Sequence, residues 1–125
     1  NTKTEELIIA DYKSQHDTNE VTKDNYFNKP FKEGYKRQLD FYAYLLKGMN
    51  FPVSKEKYIY LVNAKEKEGF YGEMKFDEII IPYVSDPEYL EEHIDEMIKV
   101  INSKEIPKSD ESCENCAYSN QFNNL

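Results

Sequence analysis

The chain has 125 residues, 39% hydrophobic and 32% charged, a composition that suits one soluble globular domain with one core. With 24 Asp plus Glu against 16 Lys plus Arg, the net charge of −8 has the wrong overall sign for a general nucleic-acid binder. No apolar run is long enough to span a bilayer, the polar opening residues lack a signal-peptide pattern, and two cysteines do not make a disulfide scaffold, so a cytoplasmic protein is expected. The apolar side is unusual in kind, with 11 Tyr, 7 Phe and no Trp, and most of these rings are expected in the core.

Residues 1–5 have the character of a turn between two strands, and the chain does not open on Met. A strand is expected over 6–14. Alternate side chains share a face of a strand, so Leu7, Ile9, Asp11 and Lys13 point one way and Ile8, Ala10 and Tyr12 the other. A carboxylate and an ammonium two residues apart, at the end of an apolar run, are costly there unless paired, solvated or bound to an ion. A long polar stretch from Gln15 to Glu33 follows, with a short helix expected near Val21–Phe27. Basic charge gathers late in this stretch and just beyond it, at Lys29, Lys32, Lys36 and Arg37 against Glu33.

The spacing of Leu39, Tyr42, Ala43 and Leu46 predicts a helix over 34–47 with one buried face, stopped by Gly48 and Pro52. Residues 57–63 are apolar on both faces and read as a central strand covered on both sides. A charged turn is expected over 64–69, then strand over 70–76 and 78–82, hairpin-paired to 57–63. Ser85 and Glu88 fit a capping box for a helix over 86–102. Its inner stripe is Leu90, Ile94, Met97, Ile98 and Ile101, and its outer face is acidic. From Ser103 the chain is loop-like and carries Cys113 and Cys116. The order strand, helix, strand, strand, helix predicts an α/β or α+β domain, with a mixed central β-sheet flanked by helices.

Two constellations could carry chemistry. Asp11 could hold a hard cation, with the Tyr12 carbonyl as a second ligand, and Lys13 could face a reacting phosphate. Gln38 and Tyr42, four apart on the helix, stack on one face with Tyr35 a turn earlier. Alone, the first is better explained by a surface ion pair and the second by a boundary Gln beside a core Tyr. His16 and His93 read as ordinary surface or boundary residues.

Taken in order, Leu7-Ile8-Ile9-Ala10-Asp11-Tyr12-Lys13-Ser14 and Tyr35-Lys36-Arg37-Gln38-Leu39-Asp40-Phe41-Tyr42 resemble the catalytic strand and signature helix of the RecB-like branch of the PD-(D/E)xK nuclease superfamily. The resemblance covers nearly the whole chain. It implies a restriction-endonuclease-like core and a metal-dependent DNA nuclease of repair, recombination or defence. Asp11 and the Tyr12 carbonyl would ligate Mg²⁺ or Mn²⁺. Lys13 would be the catalytic lysine, and Gln38 and Tyr42 would position it or the DNA. Ser14, Tyr35, Lys36 and Arg37 would contact substrate. The partners implied are DNA and a helicase or other domain of a larger protein.

The family's further acidic ligands lie upstream of this strand, so the chain is expected to be an N-terminally incomplete core that is inactive unless something completes the site. The alternative is a non-catalytic nuclease-like module that binds DNA or a protein. Cys113 and Cys116 resemble the family's cysteine tail, but Phe122 stands at the third position, and two thiolates are too few for an iron–sulfur cluster or a closed zinc site.

Overall fold

The structure is a computed structural model that describes residues 1–65, 72–110 and 113–123. Three strands form one mixed sheet in the order β1 (Leu7–His16), β2 (Val53–Ala64), β3 (Phe76–Val84). β1 and β2 run parallel, and α1 (Glu33–Gly48) makes the connection a parallel crossover requires. β3 returns antiparallel to β2. The register sets Asp11 beside Ile59 and Lys13 beside Leu61, with Ile81 and Ile79 next across on β3. The α+β class and the restriction-endonuclease-like core expected from the sequence are both present.

One face of the sheet packs on α1. Ile9, Ile59, Leu61 and Ile81 meet Leu39 and Ala43, with Tyr26 closing one side, and all are buried. The other face is open, contrary to the expectation that β2 is covered on both sides. Tyr12 is 59% exposed and Ile80 55%, and the Tyr12 and Tyr60 rings lie 5.8 Å apart on that surface. An apolar run shows that a strand can be buried on both faces, but not that anything covers both.

α1 ends at Gly48 as expected, in a Schellman turn whose left-handed position falls on Asn50 rather than on the glycine. Phe51 N–H bonds the Leu46 carbonyl at 3.1 Å and Asn50 N–H the Lys47 carbonyl at 2.9 Å. Asn50 takes the left-handed position at φ 63°. The capping box expected at Ser85 is not used either. The Ser85 hydroxyl donates to Asp40 Oδ1 instead, and the next helix starts later, as α2 (Tyr89–Ile101).

Asp40 explains that diversion. It sits on α1 with no exposed surface, 3.2 Å from the equally buried Lys57 ammonium. Tyr83 and Tyr89 hydroxyls donate to it at 2.9 and 2.6 Å. Lys57 also donates to the Ser85 hydroxyl at 2.7 Å and the Ser85 carbonyl at 2.9 Å. Burial pushes the Asp40 carboxyl up, but hydrogen bonds from Ser85, Tyr89, Tyr83 and Lys57 outweigh it and hold the group below its ordinary range. This network ties α1 to the ends of β2 and β3, on the side away from Gln38.

The chain divides into two compact units, Asn1–Leu90 and Glu91–Leu125. Of the inner stripe expected on α2, Leu90 is buried and Ile94 half-buried, whereas Met97, Ile98 and Ile101 are exposed. Its periodicity identifies the apolar side without saying what meets it. A helix, α3 (Glu114–Asn123), stands where the sequence suggests a loop, with the Tyr118 and Phe122 rings 4.9 Å apart. Most of the turn expected over 64–69, and the strand start at Phe70, lie outside the described residues. Gly72–Lys75 is not strand. The helix expected near Val21–Phe27 is replaced by two short 3₁₀ turns, Tyr26–Asn28 and Pro30–Lys32.

Candidate active site

Strand periodicity puts Asp11, Lys13 and Gln15 in a row on the α1 side of β1. β1 is an edge of the three-stranded sheet, so the row is only partly covered. The Asp11 and Lys13 side chains keep 19% and 21% of their surface. Lys13 Nζ lies 2.7 Å from Asp11 Oδ2 and donates to Gln38 Oε1 at 2.8 Å. Gln38 Nε2 donates to the Tyr42 hydroxyl at 2.5 Å, which fixes the amide with its oxygen toward the lysine. The ammonium also lies 4.6 Å from the centre of the Tyr35 ring, over its π-face. Two elements far apart in sequence thus converge on one ammonium.

Asp11 is less completely served. Lys13 approaches Oδ2 closely enough for an ion pair but off the direction of a hydrogen bond. Oδ2 is therefore a buried oxygen with no donor among the described residues. The Tyr26 hydroxyl is in the same condition. Burial pushes its pKa up to about 12, with Tyr35 and then Asp11 adding to the rise.

The other residues singled out from the sequence are placed differently. Tyr12 and Ser14 project from the opposite, open face of β1, so the Ser14 side chain does not join Lys13, and of Tyr12 only the backbone stays near Asp11. The strand alternation that brings Asp11 and Lys13 together sends their neighbours away. Lys36 is paired with Glu33 at 2.6 Å and lies 5.1 Å from the Phe27 ring centre. Arg37 is exposed on α1. Cys113 and Cys116 belong to the second unit. The Cys116 N–H donates to Cys113 Sγ at 3.4 Å, and hydrogen bonding from Cys116 pulls the Cys113 thiol below its ordinary pKa.

Four participants escape the sequence argument: Gln15, Tyr26, Lys32 and Asn63. Lys32 is buried, donates to Gln15 Oε1 at 2.6 Å and lies 3.5 Å from the Tyr26 ring centre. Gln15 Nε2 reaches Asn63 on β2 at 3.4 Å. Gln15 was legible as the next residue on the Asp11–Lys13 face. Tyr26 sits in a polar stretch with no periodicity to mark it.

The model of the PD-(D/E)XK nuclease superfamily matches residues 1–121. The chain belongs to that superfamily. No curated protein and no solved structure matches it. Nucleases of the superfamily generally use divalent metal ions. The donor-less Asp11 oxygen fits such a cation as one hard ligand. Among the described residues no group of three or more His, Cys, Asp or Glu gathers as a metal cluster. No helix among them is long and apolar enough to cross a membrane.

Proposed function

We propose that the chain is a RecB-like, metal-dependent DNA nuclease domain that hydrolyses phosphodiester bonds at Asp11 and Lys13. The observation that carries this reading is the convergence of Asp11, Gln38 and the Tyr35 ring on Lys13 Nζ, with Gln38 held in turn by Tyr42. A surface ion pair needs neither a dedicated glutamine nor a tyrosine to aim it. Hydrolysis does need a cation fixed in place before charge develops on the phosphoryl oxygens, because a preorganised donor has no reorganisation to make during the reaction.

The residues divide the work. Asp11 and the Tyr12 carbonyl would hold a divalent cation of the Mg²⁺ or Mn²⁺ kind, which would supply positive charge at the reacting phosphate. Lys13 has three N–H donors. One is used by Gln38, and the contact with Asp11 is an ion pair without a hydrogen bond, which leaves donors for a phosphate oxygen. Gln38 and Tyr42 are positioning residues: they hold the ammonium without touching the reacting atoms. The Tyr35 ring, with its centre 4.6 Å from the ammonium, helps hold Lys13 in place.

A second reading, a nuclease-like module that binds DNA or a protein without cutting, is favoured by the want of a clustered ligand set among the described residues. Titrating Mn²⁺ into the protein and into Asp11→Ala separates the two. Saturable binding lost in the variant supports the enzyme. Equal or absent binding in both supports the module. A role in repair, recombination or defence belongs to the same proposal, resting on the Gln38 and Tyr42 helix.

A further inference from the structure

Two lysine cradles of similar make-up meet β1: one presents Lys13 itself, and the other holds Lys32 through Gln15, two residues further along the strand. In the first, Lys13 donates to Gln38 Oε1 and lies over the Tyr35 ring. In the second, Lys32 donates to Gln15 Oε1 and lies over the Tyr26 ring. In each, the amide nitrogen of the glutamine is used elsewhere, on Tyr42 or on Asn63, so its oxygen is committed to the ammonium. They differ in charge. Lys13 has Asp11 at 2.7 Å as counter-ion. Lys32, only 3% exposed, has no carboxylate paired with it among the described residues, and its neighbour Asp17 is already paired with Lys29.

A buried ammonium without a paired carboxylate is expensive, and among the described residues one of its three donors is used, by Gln15. Its pKa falls to about 8, first through burial and then through Lys29. Such a group is a poor structural choice and a good anion receptor. It also lines a cavity of about 180 Å³ with Lys29, Asn25 and Asn28, by which a ligand can approach it; Asp17, paired with Lys29, and Glu20 stand on the same wall. At the backbone, Lys13 and the Gln15 that holds Lys32 are about 7 Å apart along β1, two strand residues, the scale of the spacing of neighbouring phosphates on one DNA strand.

We infer that Lys32 binds the phosphate next to the one at Lys13, so that the two cradles grip consecutive phosphates of one strand. The inference rests on the proposed function for its ligand. It extends that reading by giving the site a second anion subsite and a way to align the strand before cleavage.

The test uses the full-length protein without divalent metal and a short fluorescein-labelled single-stranded oligodeoxynucleotide, read by anisotropy. A second oligonucleotide has every other phosphate replaced by uncharged methylphosphonate. In any register it leaves one of the two cradles facing a neutral group, so the wild type binds it more weakly. Lys32→Met has only the Lys13 cradle to satisfy, so it binds both oligonucleotides alike. The slope of log affinity against log salt also falls by about 0.7 in the variant, one contact with a single strand. Lys32→Gln is expected to behave in the same way, and unchanged thermal melting of either variant excludes misfolding. Equal methylphosphonate sensitivity in wild type and variants, or no DNA binding by the wild type, overturns the inference. A wild type that shows the pattern but cuts no DNA with Mn²⁺ overturns the nuclease reading and leaves the paired cradles standing.

Discussion

Replacing Asp40 is the most informative perturbation of the scaffold under the site. Asp40→Ala removes the acceptor of Ser85, Tyr83 and Tyr89 and the counter-ion of the fully buried Lys57. Removing one partner of a buried ion pair typically costs about 3–5 kcal/mol, because the other charge is left uncompensated. With an m-value of about 2 kcal/mol/M in urea, a loss of about 4 kcal/mol moves the unfolding midpoint down by about 2 M. Lys57→Met should cost less, since three hydroxyls still serve the Asp40 carboxylate. In Asp40→Ala/Lys57→Met no charge remains buried, and the loss should fall short of the summed single losses by about 2 kcal/mol. Urea unfolding followed by circular dichroism on the four proteins measures each term. Additivity within about 0.5 kcal/mol, or a loss under about 1 kcal/mol for Asp40→Ala, would refute the account of this network as the anchor of α1.

Other expectations follow from single contacts. Gln38→Ala should lower kcat of DNA cleavage about 100-fold with little change in KM, because it frees Lys13 from its aim rather than removing it; Tyr42→Phe should act in the same direction and less. Asn50→Gly should leave stability within a few tenths of a kcal/mol, whereas Asn50→Val should lose about 1–2 kcal/mol by forcing a branched residue into the left-handed region, as chemical denaturation would show. Asp86 is held down to about 2, first by Lys55 at 2.7 Å and then, against burial, by Lys47 at 3.3 Å. A depressed carboxyl stabilises the fold above its ordinary pKa of 3.8 and loses that effect as pH falls toward about 2. The melting difference between wild type and Asp86→Asn should therefore be present at neutral pH and vanish at the acid end of that window.

Much of this was visible in the sequence because period-two and period-3.6 patterns carry it. They placed Asp11 and Lys13 on one face, Gln38 and Tyr42 on another, and the three strands and α1 within a few residues. The same alternation that pairs Asp11 with Lys13 argues against a shared role for the Ser14 side chain. What stayed hidden was polar burial. Asp40, Lys57 and Lys32 are charged residues in positions that composition assigns to solvent, and each is buried by partners remote in sequence. Ser85 looked like a helix cap because the cap is a local signal. A distant buried carboxylate outcompeted it.

The central claim is that Lys13, held by Asp11 and Gln38, serves phosphodiester hydrolysis. The most direct measurement is cleavage of DNA by the full-length protein with Mn²⁺, compared with Lys13→Ala at matched melting temperature. The account predicts metal-dependent cleavage by the wild type and a loss in the variant of about 100-fold or more, the scale of removing one preorganised charge donor. Equal rates for the two proteins would contradict it.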